Sequence, residues 1–128
     1  MSAAILVFIG AGIGGVLRYG AVTLATRLIG FGFPWGTLAV NIVGSFLMGL
    51  LAEWLAHRIG AAWHEPARLF LATGVLGGFT TFSAFSLDAV SLWQRGDLGL
   101  AAGYVSASVL LSILALGAGL GLVRSIVS

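Results

Sequence analysis

The chain lacks most of the charge that a water-soluble protein carries. Of its 128 residues only 8% are charged and 59% are hydrophobic, and the mean hydropathy is +1.11. In an ordinary soluble domain about a quarter of the residues are charged. Because so few charges do not cover a soluble surface, the composition predicts an integral membrane protein with a single domain over residues 1–128.

Cysteine and lysine are both absent. Without cysteine there is no disulfide framework, no thiol nucleophile and no cysteine metal site. All six basic residues are arginine, and the formal net charge of +2 is too small and too scattered to indicate a nucleic-acid partner. The sequence shows no nucleophile–base set, Walker motif or dinucleotide fingerprint, so we expect no enzymatic activity.

Long apolar segments are what the sequence does contain. A bilayer is crossed by ~20 residues of apolar helix, and four segments reach that length, at about residues 3–27, 34–57, 66–92 and 98–123. Short loops join them, so both termini lie on one side of the lipid bilayer. His57 and His64 fall near the second loop, with no metal spacing. We predict an all-α membrane protein with four transmembrane helices.

The third segment is interrupted near its centre by a glycine pair. Gly77 and Gly78 favour departure from helical dihedrals, and three hydroxyl residues follow at once, Thr80, Thr81 and Ser83. Opened backbone persists in hydrocarbon only where it is buried in protein or lines a wet cavity. We therefore predict a broken helix whose break is an ion or substrate site, since unwound backbone in membrane proteins coordinates small ions. The alternative is a packing kink whose hydroxyls bond back to the preceding turn.

Two further sets of residues extend this site. Phe82 and Phe85 share one helical face, where ring edges with partial positive charge could meet a small anion. Tyr104, Ser108 and Ser112 recur every four residues and form a stripe of hydroxyl donors along the fourth segment. The alternatives are ordinary helix packing for the rings and hydroxyls bonded to their own helix.

Three polar side chains inside the spans need partners. Asn41 must be hydrogen-bonded or face a cavity, and we favour the cavity. Arg18 lies deep enough to be costly, so it either snorkels to one interface or gives an aqueous vestibule a positive potential. Asp88 could pair with an arginine.

The arginines give almost no orientation signal, since orientation follows a difference in basic residues near the span ends. The side with both termini holds Arg58, Arg68 and Arg124, and the other side holds Arg27, Arg95 and, if it reaches that surface, Arg18. We therefore predict dual topology and an antiparallel homodimer. If two chains crossed at their breaks, backbone carbonyls from both could hold one hard cation such as Na⁺.

Glycine pairs four residues apart supply close-packing faces for helix association. The pairs are Gly10 with Gly14, Gly74 with Gly78, and Gly117 with Gly121.

The motifs together resemble the CrcB/Fluc family of fluoride channels. The resemblance rests on GGFTTFSAF at residues 77–85, GTLAVN at 36–41 and LRY at 17–19, and it covers essentially the whole chain. Ala84 departs from the serine or threonine often found at that position. The resemblance implies an antiparallel homodimer in the bacterial plasma (inner) membrane, with two passive fluoride pathways flanking a structural Na⁺.

The resemblance also implies roles for individual residues. It assigns the Na⁺ to the backbone carbonyls of Gly77 and Thr80 and a vestibule position to Arg18. It assigns the fluoride pathway to Asn41, Thr81, Phe82, Ser83, Phe85, Tyr104, Ser108 and Ser112.

Two other functions compete with this interpretation. A small dual-topology proton-coupled multidrug exporter needs a membrane-embedded carboxylate, and the first three spans offer only Asp88, near an end. A non-transporting membrane assembly subunit would show no flux and would tolerate loss of Ser108.

Overall fold

A computed structural model describes residues 2–127, and in that range four helices are long and apolar enough to cross a membrane. The predicted all-α membrane architecture is confirmed. We number the helices in chain order as α1 (Ala3–Ile29), α2 (Trp35–Ala56), α3 (residues 64–79), α4 (Phe82–Gln94) and α5 (Leu98–Val127). The third span consists of α3 and α4, so the predicted break is also present. Three of the spans continue beyond the predicted ends, because helical backbone runs on through polar residues that hydropathy excludes.

The first half of the third span has an unusual backbone. After one α-helical turn (His64–Ala67), α3 continues as a π-helix over Arg68–Leu76 and returns to α-helix at Gly77–Phe79. Where the π-helix ends, the Gly77 N–H faces the carbonyls of Ala72 and Gly74. Long π-helical stretches are rare and often occur near functional sites.

Glycines allow α1 and α3 to pack backbone against backbone. A methyl group at Gly10 would overlap the backbone of Gly74, and one at Gly78 would overlap the backbone of Ala11. A methyl group at Gly14 would meet the backbone one turn further along α3. The two predicted glycine faces therefore pack against each other within one chain.

A second backbone contact joins α2 to α5 through glycines that the spacing argument did not select. A methyl group at Gly49 would overlap the Leu116 carbonyl, and one at Gly119 would overlap the Phe46 carbonyl. Gly117 and Gly121 were predicted to form the packing face, but a methyl group at either would meet no other atom of the described chain within 4 Å. Gly119 lies two residues from each of them, so it is on the opposite face of α5. That face is the one that packs against α2.

Polar contacts fix the ends of the bundle. At the end that holds both termini, Arg124 Nε donates to Glu53 Oε1 over 2.6 Å, which ties α5 to α2. At the other end Arg95 bonds the Gly32 carbonyl at 2.9 Å and the Asp97 carboxylate at 2.8 Å. These contacts hold α2, α4 and α5 around the break.

Candidate functional site: the helix break and its cleft

The third span opens at two threonines, three residues beyond the predicted position. Thr80 has φ −85° and ψ 157°, Thr81 has φ −151° and ψ 124°, and α4 begins at Phe82. The predicted glycine pair remains inside the helix, with Gly77 at φ −63° and ψ −37°. The prediction that glycine opens the helix was wrong, because Gly78 is needed for the close approach of α1 and does not depart from helical dihedrals.

Asn41 on α2 holds the opened backbone. Its Oδ1 accepts from the Thr81 N–H at 2.8 Å, and its Nδ2 donates to the Thr81 carbonyl at 2.9 Å. Asn41 therefore has the partner that a polar group in hydrocarbon requires, and it also lines the cavity that we favoured from the sequence.

The hydroxyl groups of Thr80 and Thr81 form hydrogen bonds at the end of α3 and at the start of α4. Thr80 Oγ1 donates to the Leu76 carbonyl at 3.0 Å. This is the bond to the preceding turn that the alternative of a packing kink predicted for this residue. Thr81 Oγ1 accepts from the Ala84 N–H at 3.1 Å and so caps the N-terminus of α4. Ser83 Oγ lies 3.3 Å from Thr81 Oγ1.

These bonds remove the helical donors from two carbonyls. In a continuous helix the Thr81 N–H would bond the Gly77 carbonyl, and the Ala84 N–H would bond the Thr80 carbonyl. Both donors are instead used by side chains, those of Asn41 and Thr81. The carbonyls of Gly77 and Thr80 are thus left to other ligands, as opened backbone at an ion site would be.

Arg18 reaches the same place from α1. Its Nε donates to the Gly78 carbonyl at 3.2 Å, close to the end of α3. A guanidinium suits the negative end of a helix dipole. The structure thus places Arg18 beside the break and not extended to the bilayer surface near Arg27.

An open cleft of about 340 Å³ lies against the break. It is walled by α2, the break, the start of α4 and α5. The lining residues are Asn41, Gly44, Ser45, Met48, Thr80, Thr81, Phe82, Phe85, Ser108, Val109, Ser112 and Leu116. The cleft therefore brings together the predicted break, ring and α5 serine residues, whereas the predicted Ser83 is exposed and does not line it.

Two serine hydroxyls in this cleft lack protein partners. Ser108 Oγ and Ser112 Oγ are buried, and within the described chain neither has a hydrogen-bond partner. A buried polar atom without a partner is costly and calls for an explanation such as an unseen ion or water. The two serines are thus donors available to a small anion.

The phenylalanine rings form one wall of the cleft. The ring centroids of Phe82 and Phe85 are 5.4 Å apart with a 49° angle between planes. Phe85 packs on Tyr104 at 5.3 Å, whereas Phe82 is 68% exposed. Phe85 is therefore packed within the chain, and the exposed ring of Phe82 projects outward at the cleft.

Tyr104 is separated from the two serines of its stripe. It is fully buried, and its hydroxyl donates to Asp88 Oδ2 at 3.2 Å. Asp88 lines a second cavity of about 260 Å³ beside the loop between α1 and α2. The possible arginine partner of Asp88 is not found among the described residues, where Arg95 is bonded to Asp97 and Gly32.

A polar stripe on α2 was missed from the sequence. Thr37, Asn41 and Ser45 are spaced four residues apart, so they share one face of the helix. Asn41 and Ser45 line the cleft, while Thr37 lines the second cavity beside Asp88. The spacing alone could have revealed this stripe.

Four apolar spans, three of which line a cleft that contains amide and hydroxyl side chains, define a multi-pass membrane protein. The family model described as "CrcB-like protein, Camphor Resistance (CrcB)" matches residues 5–120. The chain belongs to the CrcB family, as its motifs indicated.

Several curated relatives are named as fluoride-specific ion channels. The chain is 60% identical over 121 residues, 94% of its length and 95% of the relative's, to a protein of Agrobacterium fabrum named "Fluoride-specific ion channel FluC". Proteins of the same name from Chelativorans and Novosphingobium aromaticivorans are 57% and 53% identical, over 94% and 98% of this chain and 95% and 99% of their own lengths.

Proposed function

We propose that this chain is a fluoride-selective ion channel that passively exports fluoride and so lowers its cytoplasmic concentration. One observation carries the proposal: the unpartnered hydroxyls of Ser108 and Ser112 face a cleft that Phe82 and Phe85 also line. The relatives named fluoride-specific channels, which match nearly the whole chain, support the choice of ion.

The chemistry of the cleft suits a small, strongly hydrated anion. Fluoride gives up its water only where close donors replace it, and hydroxyl protons and ring edges are such donors. A conducting site must also release the ion, so several weak contacts serve better than one strong charge. In the cleft the donors are neutral, and Arg18 is directed to the Gly78 carbonyl.

An antiparallel second copy would close the pathway. The cleft is open in a single chain, and Phe82 is 68% exposed beside it. With Arg18 bonded at the break, the arginine counts on the two sides become three and two, which is a weak orientation signal. We propose a dual-topology homodimer in the bacterial inner membrane, with fluoride and the bilayer as its other partners.

A structural Na⁺ fits the break. Among residues 2–127 no group of three histidine or acidic side chains could hold a metal, so a cation would depend on backbone oxygen. The carbonyls of Gly77 and Thr80 have lost their helical donors, and uncharged oxygens suit a hard monovalent ion. When bound, the ion would supply a fixed positive charge between the two chains.

Fluoride efflux from liposomes tests the proposed function. We expect proteoliposomes loaded with potassium fluoride to release fluoride rapidly to an electrode, while chloride-loaded liposomes release no chloride. No fluoride release from a folded, reconstituted protein would leave the family relationship as one of fold alone.

Ser108 and Ser106, both on α5, give a matched pair of substitutions that tests the hydroxyl donors. Ser108→Ala should slow fluoride efflux by roughly 10- to 100-fold, since a hydrogen bond to a charged group is worth about 1.5–3 kcal/mol. Unfolding temperature should hold or rise, because a buried unpartnered hydroxyl is removed. Ser106→Ala, on an exposed face of the same helix, should change neither quantity. Equal effects of both substitutions on efflux would remove the donor role.

Orientation control tests the antiparallel dimer. Fusing a segment that inserts in only one direction to the C-terminus should lower fluoride efflux strongly, because every copy then faces the same way. Co-expression with a copy fixed in the opposite direction should restore efflux. Full efflux from a population shown by protease protection to have one orientation would contradict the dimer.

A further inference from the structure

We infer that Asn41 is a positioning residue for the proposed cation site, because it withdraws the Thr81 N–H from the Gly77 carbonyl. The inference rests on the proposed Na⁺ and deepens it. Asn41 would then position a backbone ligand of the cation as well as line the cleft.

The geometry is that of a pair of antiparallel strands. In an extended residue the N–H and the carbonyl point to the same side, and a neighbouring strand bonds both. Thr81 is extended, at φ −151° and ψ 124°, and the Asn41 carboxamide meets its N–H at 2.8 Å and its carbonyl at 2.9 Å. One planar amide thus takes the place of a partner strand.

Asn41 is well supported for this task. It lies next to Val40, which is 1% exposed, on the helix that Gly49 and Gly119 join to α5. The α2 backbone that carries Asn41 is therefore packed against α5, and the side chain is bonded to both backbone groups of Thr81.

Without the Asn41 side chain, the Thr81 N–H would bond the Gly77 carbonyl, its partner in a continuous helix. The Thr81 N–H is the group that bonds the Gly77 carbonyl in a continuous helix. A backbone donor in a membrane span needs a partner in the protein or in a wet cavity, and the Gly77 carbonyl is the protein partner that helical geometry offers. Without Asn41 the opened turn would close onto Gly77, and the cation would lose one carbonyl ligand.

Substituting Asn41 by leucine or by aspartate distinguishes the roles of its two hydrogen bonds to Thr81. Asn41→Leu keeps the approximate shape and removes both bonds. Asn41→Asp, when ionised, keeps the acceptor for the Thr81 N–H and loses the donor to the Thr81 carbonyl. The inference depends on the acceptor, so aspartate should preserve the cation site and leucine should not.

Sodium-dependent thermal stability measures the cation site without measuring flux. Unfolding temperature of the purified full-length protein is followed in detergent while NaCl replaces N-methylglucamine chloride, since a ligand of the folded state raises that temperature. We expect a saturable rise for the unsubstituted protein. The Na⁺ midpoint should increase at least about tenfold for Asn41→Leu and should not increase for Asn41→Asp, whose added negative charge favours a cation.

Ser108→Ala is the control within the same cleft. It should slow fluoride efflux yet keep the Na⁺ midpoint, because the Ser108 hydroxyl forms no hydrogen bond to the break among the described residues. A rescue completes the design. In Asn41→Leu, replacing Thr81 by its α-hydroxy acid turns the amide into an ester, which has no N–H to close onto Gly77. The Na⁺ midpoint should then recover.

The outcomes separate this inference from the proposed function. Sodium stabilisation that is equal in the unsubstituted protein and in folded Asn41→Leu would overturn the positioning role while leaving the cation in place. If Asn41→Leu does not fold, a raised midpoint in Asn41→Asp would overturn it instead. If sodium stabilises none of the proteins, the cation proposal fails, and the inference fails with it, although fluoride efflux could still be observed.

Discussion

Replacing Phe82 and Phe85 together by isoleucine should abolish fluoride flux, with a fall of roughly 100-fold or more if each ring contributes about 1.4 kcal/mol to the passing ion. The two rings line the cleft beside the serine hydroxyls, 5.4 Å apart. Isoleucine keeps the apolar bulk but has no ring edge of partial positive charge. Fluoride efflux from liposomes and elution volume of the dimer should be measured together.

Phe8→Ile is the control for this double substitution. Phe8 lies on the outer face of α1 and is 79% exposed, so its loss should leave efflux unchanged. Phe85 also packs on Tyr104, so the double variant is judged only when it elutes at the same volume as the unsubstituted protein. A folded double variant that still conducts would remove the ring-edge role.

The second large effect is expected on stability. Gly14→Val should leave little folded protein, because any side chain at Gly14 overlaps the α3 backbone at Val75 and Phe79. Overpacking a side chain against other side chains costs typically about 1–3 kcal/mol, and here rigid backbone must move. The fraction of protein that elutes as a single species after extraction, and its unfolding temperature, are the quantities to measure.

Gly12→Val supplies the matched control on the same helix. A methyl group at Gly12 meets no atom of the described chain within 4 Å, so valine there should extend into lipid with little effect. Normal yield and unfolding temperature for Gly14→Val would show that α1 and α3 do not pack as described.

The spans were predictable because a bilayer imposes its thickness on the sequence. Each segment needs ~20 apolar residues, and four such segments were visible. The Gly10–Gly14 and Gly74–Gly78 faces were also predictable, since only glycine permits backbone contact between helices. Spacing could not say which faces are used, so Gly117 and Gly121 were chosen where Gly119 makes the contact.

The position of the break was not predictable from local propensity. Glycine suggested opening at Gly77 and Gly78, but the structure opens at Thr80 and Thr81. Asn41, forty residues away, accepts the hydrogen bond from the Thr81 N–H at this point. A helix breaks where another group satisfies its backbone better, and a single segment does not contain that information.

Other contacts of the site are long-range in the same way. The Asp88 carboxylate meets Tyr104 across two helices, and Arg18 meets the Gly78 carbonyl. Opposite charge suggested that Asp88 could pair with an arginine, but helix packing places the Tyr104 hydroxyl beside it instead. The stripe that contains Ser45 needed only helical spacing, and it was overlooked because a single serine in a span carries little signal.

The reversal potential in a planar bilayer tests the central claim most directly, that this chain passes fluoride passively and selectively. Under a tenfold fluoride gradient with equal chloride and equal pH, current carried by fluoride alone should reverse about 59 mV from zero, the value for one charge. A superimposed pH gradient should leave this potential unchanged. A reversal potential near zero, or one that follows the pH gradient, would contradict a passive fluoride-selective channel.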